Sequence, residues 1–102
     1  MDMELFYEFR SEVRKKLGRI YFFPQNMDLY AVSIVELFLI DTEITKFYLS
    51  YCTKNEKKYL LELAEYLQQT KKNLQVAKII ISSLSSAKND IVTSQRLSKS
   101  PN

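Results

Sequence analysis

Apolar residues recur every three or four positions along much of this chain. Residues 3–17 carry the first such stripe, which consists of Met3, Phe6, Phe9, Val13 and Leu17. This spacing is that of an amphipathic helix, because residues three and four apart lie on the same helix face. Asp2 can cap its start, and Gly18 stands where a left-handed residue commonly terminates a helix. The pattern predicts a first helix over residues 3–17.

An apolar segment that ends in proline follows this helix. Residues 19–26 contain four consecutive apolar residues, from Ile20 to Phe23, directly before Pro24. Because proline biases the preceding residue away from the helical conformation, we expect an extended and partly buried link here. A short edge strand is the alternative.

The next stretch, residues 29–40, is apolar except for Ser33 and Glu36. It is too short for a membrane span, and Asp28 and Asp41 flank it. Periodicity alone does not distinguish a buried helix from a buried strand in such a run. A helix is favoured, because residues that can cap a helix precede the run and no turn signal interrupts it. After Asp41 a further helical stripe follows, formed by Ile44, Phe47, Tyr48 and Tyr51.

The clearest helix start lies at Thr53. Thr53 and Glu56 match a capping box, in which each side chain accepts a hydrogen bond from a backbone N–H of the other residue. Apolar residues then continue at spacings of three and four up to Leu84, with Thr70 as the single polar member. The pattern predicts one long helix of roughly 30 residues, about 45 Å in length.

Composition agrees with an all-α fold. The chain of 102 residues contains one glycine and two prolines, too few for the many tight turns of a β-sandwich or barrel. We therefore predict a small helical bundle of three to four helices with a long C-terminal helix. Residues 1–85 are expected to form this single domain. Residues 86–102, rich in serine and lysine, are expected to form a flexible tail.

Side chains that carry out most chemistry near neutral pH are scarce. The chain has no histidine and one cysteine, Cys52, for which a small buried apolar role is favoured over a reactive thiol. Glu62 and Glu65 have no histidine or second acidic pair to complete a metal or acid–base site. We therefore expect no catalytic residue, metal or cofactor, and no enzyme activity. The single cysteine and the acidic residues Asp2 and Glu4 favour an intracellular, cytoplasmic protein without a signal peptide.

Aromatic residues are numerous for a core of this size. The chain has seven tyrosines and six phenylalanines, and tyrosine is enriched in protein interfaces. The same spacing would also suit a half-buried rim of the core. The leading hypothesis is a helical protein–protein interaction module whose partner is another protein or a second copy of the chain, not a membrane or a small-molecule substrate. The predicted partner-binding residues are Tyr48, Tyr51, Tyr59, Tyr66, Ile80 and Leu84.

An alternative function is nucleic-acid binding through the first helix. Its second half carries five cations within ten residues, namely Arg10, Arg14, Lys15, Lys16 and Arg19. The aromatic residues of the following link could stack on bases while the cations contact phosphates. The competing interpretation is that these cations are the solvated end of an amphipathic helix. A net charge of +3 permits a nucleic-acid partner without requiring one.

The order of elements resembles the helical domain of an archaeal GINS subunit. That family has a short first helix, a proline-containing link, a second helix and a long last helix, to which residues 5–10, 23–30 and 75–79 correspond here. Gln75 stands where the family has arginine, two additional residues separate Pro24 from Asp28, and the family's small β domain has no counterpart. The resemblance implies a non-catalytic scaffold in a DNA replication complex. The composition is also similar to that of small proteins of archaeal viruses.

Overall fold

The computed structural model describes residues 2–85, and all regular secondary structure in this range is helical. The all-α prediction is confirmed for these residues, and residues 29–40 belong to a helix. The predicted tail, residues 86–102, lies outside the described residues. The elements in chain order are α1 (Met3–Phe22), a 3₁₀ helix (Pro24–Asn26), α2 (Met27–Ile40), α3 (Thr42–Tyr51), α4 (Lys54–Thr70) and α5 (Leu74–Ser85).

The first helix is longer than its sequence predicts. The Asp2 carboxylate caps its start by accepting the backbone N–H of Glu4 at 2.9 Å. The helix then continues through Gly18, whose φ is not positive, and ends at Phe22. Burial explains the extension, since Ile20 is buried one turn after Leu17 and continues the same apolar stripe. The predicted end at Gly18 and the predicted extended link over residues 19–26 are therefore wrong.

Gly18 offers a direct test of this longer helix. A Cβ atom at this position would meet no atom within 4 Å. Gly18→Ala is therefore expected to raise the free energy of unfolding by about 1 kcal/mol, because alanine loses less backbone entropy in a helix than glycine. Urea denaturation followed by circular dichroism measures the change, and Ser11→Gly in the same helix should lower stability by roughly 0.5 kcal/mol. A destabilised Gly18→Ala variant would show that residue 18 needs the conformational freedom of glycine.

The predicted long C-terminal helix is broken into α4 and α5. Lys71 and Asn73 adopt left-handed conformations, with φ of 57° and 49°. The N–H groups of Lys71 and Lys72 donate to carbonyl oxygens of the last turn of α4 at 3.2 and 3.0 Å, an arrangement that terminates helices. The Asn73 side-chain oxygen accepts the N–H of Val76 at 3.2 Å, which starts α5. The chain thus has five α-helices in its described part, not three to four.

The five helices pack around one apolar core. α1 contacts α2, α3 and α4, and α5 packs against both α4 and α3. Phe38 of α2 and Tyr48 of α3 lie at the centre, and each is 1% exposed. The centroids of their rings are 6.1 and 6.0 Å from that of Phe9 in α1. Within residues 2–85, none of the helices combines the length and apolar character of a membrane span.

Candidate protein-binding surface

The outer side of α2 carries a row of exposed apolar side chains. Leu29, Val32, Leu39 and Ile40 are 67%, 55%, 41% and 80% exposed. Their spacing places all four within about 100° around the helix axis, so they form one continuous stripe. The opposite side of the same helix is buried against the core through Ala31, Ile34, Val35 and Phe38. We call the exposed stripe the α2 face; it is apolar surface that residues 2–85 do not cover.

A single charged group lies in the middle of the α2 face. Glu36 follows Val32 by four residues and precedes Ile40 by four, so it lies on the same side of the helix. The carboxylate of Glu36 takes part in none of the ion pairs among residues 2–85. α2 itself contains no lysine or arginine. The α2 face is therefore apolar with one unpaired negative charge.

A cavity of about 220 Å³ lies beside the α2 face, between α2 and the turn that joins α4 to α5. Its walls are mostly apolar. They include Ala31 and Val35 of α2, and Tyr66 and Leu67 of α4. Val32 belongs to both the cavity and the α2 face, so the two form one continuous surface. Three charged residues also line the cavity, namely Asp28, Glu36 and Lys72.

A second exposed apolar region lies where α1 ends. Tyr21, Phe22 and Phe23 are all exposed there, and the Tyr21 ring lies 5.0 Å from the rings of Phe22 and Tyr59. The ring of Phe23 is 6.3 Å from that of Tyr30 in α2. These rings contact one another at the surface rather than the centre of the core. This region is aromatic, whereas the α2 face is aliphatic.

The structure places the six predicted partner-binding residues in different surroundings. Tyr48, Ile80 and Leu84 are core residues with at most 1% exposure, so their assignment to a partner surface is corrected. Tyr51 is exposed, and Tyr59 and Tyr66 are half-buried at the rim of the core. The heptad spacing is the same for a core stripe and for a binding stripe, which explains the error. The six residues do not form one surface.

The α2 face was not among the predicted sites, although the sequence contains a signal for it. A stretch of ten apolar residues among twelve, residues 29–40, forms more than three helical turns. A helix packed on one side of a small bundle buries only part of its circumference, and one that is apolar all round is normally enclosed. An all-round apolar α2 in a chain of this length therefore indicates uncovered surface.

A partly buried polar network joins α1, α3 and α4. One carboxylate oxygen of Glu56, Oε2, accepts the Tyr48 hydroxyl at 2.9 Å and Nε of Arg14 at 2.7 Å. The other, Oε1, accepts the backbone N–H of Thr53 at 2.7 Å, which completes the predicted capping box. Burial alone would raise the pKa of Glu56, but the hydrogen bonds from Arg14, Thr53 and Tyr48 outweigh it, so the pKa is lowered. One carboxylate therefore links α1, α3 and the start of α4.

The basic cluster of α1 is partly neutralised by neighbouring carboxylates. Arg14 belongs to the network with Glu56, and Lys15 and Lys16 each contact Glu12 at 3.4 Å. The hydrogen bonds from these two lysines lower the pKa of Glu12. The guanidinium of Arg10 lies 5.6 and 5.1 Å from the ring centroids of Phe6 and Tyr7. Among residues 2–85 no ion pair involves Arg19.

Cys52 is buried, as the sequence favoured. Its thiol contacts the carbonyl oxygen of Leu49 at 3.5 Å, and burial together with the nearby Glu56 carboxylate raises the pKa of Cys52 to about 11. The thiol is therefore protonated near neutral pH, where only a thiolate would be an effective nucleophile. In the part of the chain that the structure describes, no group of three or more acidic or cysteine side chains is arranged to hold a metal ion.

The hydroxyl of Tyr66 is buried without a hydrogen-bond partner. A buried polar group without a partner costs roughly 1–3 kcal/mol of desolvation. Tyr66→Phe is therefore expected to leave stability unchanged or to raise it by up to about 1 kcal/mol, whereas Tyr48→Phe, which removes a hydrogen bond to Glu56, should lower it by at least about 1 kcal/mol. Thermal unfolding of the two variants measures this contrast. Destabilisation of Tyr66→Phe would mean that its hydroxyl has a partner in solution.

Comparison with known proteins adds no family to this description. No protein-family model, curated protein or solved structure matches the chain. The resemblance to GINS subunits therefore rests on residues 5–10, 23–30 and 75–79 alone, and it stays a prediction.

Proposed function

We propose that this protein is a non-enzymatic helical module that binds another protein through the α2 face. The observation that carries this proposal is the row of four exposed aliphatic side chains on a helix whose opposite side is already packed in the core. Contiguous exposed apolar surface of this kind is typical of interaction sites. A helix or another apolar surface of the partner would lie along it.

The α2 face can supply a substantial part of the free energy that specific binding requires. Complete burial of a Leu, Ile or Val side chain contributes roughly 1.5–3 kcal/mol. Covering the exposed parts of the four side chains would contribute about 4 kcal/mol, which corresponds to about a thousandfold in affinity. Polar contacts at the rim would have to add to this, because association also has an entropic cost.

A scaffold role in a DNA replication complex is the finer form of the proposal. It rests on the resemblance to GINS subunits, which act through helix–helix contacts. The Glu56 carboxylate accepts hydrogen bonds from Arg14 and Tyr48, and the Cys52 thiol is buried and protonated. These are the surroundings of residues that support a fold, which agrees with a role without catalysis. The partner would then be a component of that complex.

The test is capture of a partner from the protein's own cell extract, with nuclease present and the salt concentration moderately high. The double variant Val32→Asp/Ile40→Asp is expected to bind the captured protein at least about a hundredfold more weakly, because two charges would be buried in an apolar contact. Leu5→Asp/Leu74→Asp is the matched control, since both residues are also half-exposed and lie elsewhere. Circular dichroism checks that both variants are folded. Full retention of the partner by the α2 variant would contradict the proposal.

The alternative function, nucleic-acid binding, has one specific observation in its favour. The exposed ring of Phe22 follows Arg19 by three residues on α1 and contacts the ring of Tyr21 at 5.0 Å, and Arg19 has no ion pair within residues 2–85. Rings and a cation at one surface could stack on bases and contact phosphate. This function predicts binding that weakens steeply with salt and is lost on Arg19→Ala/Phe22→Ala. Binding that survives high salt and nuclease would argue against it.

A further inference from the structure

The unpaired carboxylate of Glu36 defines the chemistry of the partner. We propose that the α2 face binds an amphipathic helix of another protein that carries a lysine or arginine, and that this side chain pairs with Glu36 while its apolar stem enters the cavity between α2 and the α4–α5 turn. This inference rests on the proposed function, because it identifies the occupant of the same surface.

Within residues 2–85 no cation pairs with Glu36, so we infer that the partner supplies it. A partner that covers the α2 face removes water from Glu36, and a buried carboxylate is costly unless it is paired and hydrogen-bonded. α2 supplies no lysine or arginine of its own. Among the described residues Lys72 is the one cation that lines the cavity, and its Nζ lies 3.9 Å from Asp28. Asp28 is eight residues from Glu36, or about 12 Å along the helix, so Lys72 lies at the other end of the cavity.

A second copy of the chain is a poor occupant for the same reason. Antiparallel pairing of two α2 helices about the middle of the stripe would set Leu29 against Leu39, which is favourable. It would also set Glu36 of each copy against Val32 of the other, and neither helix provides a cation there. Two carboxylates would be buried without partners. Charge complementarity therefore favours a different protein with a basic residue within its apolar face.

The cavity suits the stem of a long basic side chain. It has a volume of about 220 Å³, and its walls include the buried residues Ala31, Val35 and Leu67. Lysine and arginine bury their methylene groups along apolar surface while the charged end stays near polar groups. Glu36, at the edge of this cavity, is placed to receive that charged end.

The experiment selects helical peptides on the protein. A displayed library of helix-forming peptides, with the positions of one face randomised, is bound to the wild-type protein and depleted on Val32→Asp/Ile40→Asp. Selected peptides are expected to carry apolar residues at spacings of three and four with a lysine or arginine between them. Fluorescence anisotropy then compares each peptide with a version in which the basic residue is norleucine. We expect this change to weaken binding to the wild-type protein about tenfold.

Variants of Glu36 separate the contribution of the charge pair from that of the apolar α2 face. In Glu36→Gln the two peptide versions should bind within about threefold of each other, whereas in the control variant Glu65→Gln, on the exposed side of α4, the tenfold difference should persist. Selected peptides without a basic residue, or a difference that persists in Glu36→Gln, would overturn the inference while the α2 face remains a binding surface. If no peptide distinguishes the wild type from Val32→Asp/Ile40→Asp, both this inference and the proposed function fail.

Discussion

Replacing Glu56 with alanine is expected to lower the free energy of unfolding by about 3 kcal/mol at neutral pH. The substitution removes the hydrogen bond that satisfies the Tyr48 hydroxyl, which is buried at the centre of the core. It also removes half of the capping box at Thr53, a contribution of about 1 kcal/mol. The ion pair with Arg14 adds less than a fully buried pair would, because the Arg14 side chain is 47% exposed.

The contribution of the Glu56 charge depends on pH in a defined direction. The pKa of Glu56 is lowered from its ordinary value of 4.5, because the hydrogen bonds from Arg14, Thr53 and Tyr48 outweigh the effect of burial. Its charge therefore stabilises the fold above that ordinary value, and the stabilisation is lost as pH falls through the lowered pKa. The stability difference between the wild type and Glu56→Gln should be largest at neutral pH and should narrow in acid.

Urea denaturation at neutral and acidic pH measures both the loss of stability in Glu56→Ala and the pH dependence of the effect of Glu56→Gln. Glu65→Ala is the control, since Glu65 is an exposed carboxylate on the same helix, and its loss should change stability by less than about 0.5 kcal/mol. Equal effects of Glu56→Ala and Glu65→Ala would show that the network does not hold the fold. A stability difference between the wild type and Glu56→Gln that widens in acid would contradict the lowered pKa of Glu56.

Phe38→Ala is expected to destabilise the protein by about 4 kcal/mol. Phe38 is 1% exposed, and its ring stacks on that of Phe9 at 6.1 Å between centroids. Truncation of a buried phenylalanine removes apolar contacts and leaves a cavity, which typically costs 3–5 kcal/mol. The effect should be large because Phe38 is one of the residues through which α2 packs against the core.

The matched control for this prediction is Phe22→Ala. Phe22 is 71% exposed at the end of α1, so its loss should change stability by no more than about 0.5 kcal/mol. Chemical denaturation of the two variants under identical conditions gives the contrast. A loss of less than 1 kcal/mol for Phe38→Ala would show that α2 is not packed as described and would undermine the assignment of its outer side.

Much of the fold could be predicted from local patterns. The stripe of α1, the Asp2 cap and the capping box of Thr53 and Glu56 depend on neighbours in the sequence, and the structure confirms each of them. The true end of α1 depends instead on burial of Ile20 by other helices, which no local pattern contains. Gly18 therefore suggested a helix end that tertiary packing overrides.

The break between α4 and α5 shows a different limit. Apolar spacing continues across Lys71 and Asn73, so periodicity alone indicates one helix. The run of polar residues from Thr70 to Asn73 was the available signal, but neither Lys71 nor Asn73 is glycine, the residue that usually marks such a turn. Left-handed conformations at these residues persist because α5 packs back against α4.

The candidate site was the least predictable part. Tyr48, Ile80 and Leu84 follow the same spacing as surface residues would, and only the arrangement of five helices shows that they are buried. The α2 face is exposed because α1, α3 and α5 pack against the other sides of α2, which is again a tertiary property. Sequence analysis predicted a partner surface from the number of aromatic residues, whereas the exposed residues of the α2 face are aliphatic.

Hydrogen–deuterium exchange of the protein, with and without its captured partner, shows whether the α2 face is the binding surface. We expect binding to slow exchange in α2, Met27–Ile40, and in the adjoining turn at residues 71–73, because these segments border the α2 face and the cavity. Exchange in α3 should change little. Protection confined to α1 and the aromatic residues at its end, with α2 unaffected, would contradict the claim that the α2 face is the binding surface.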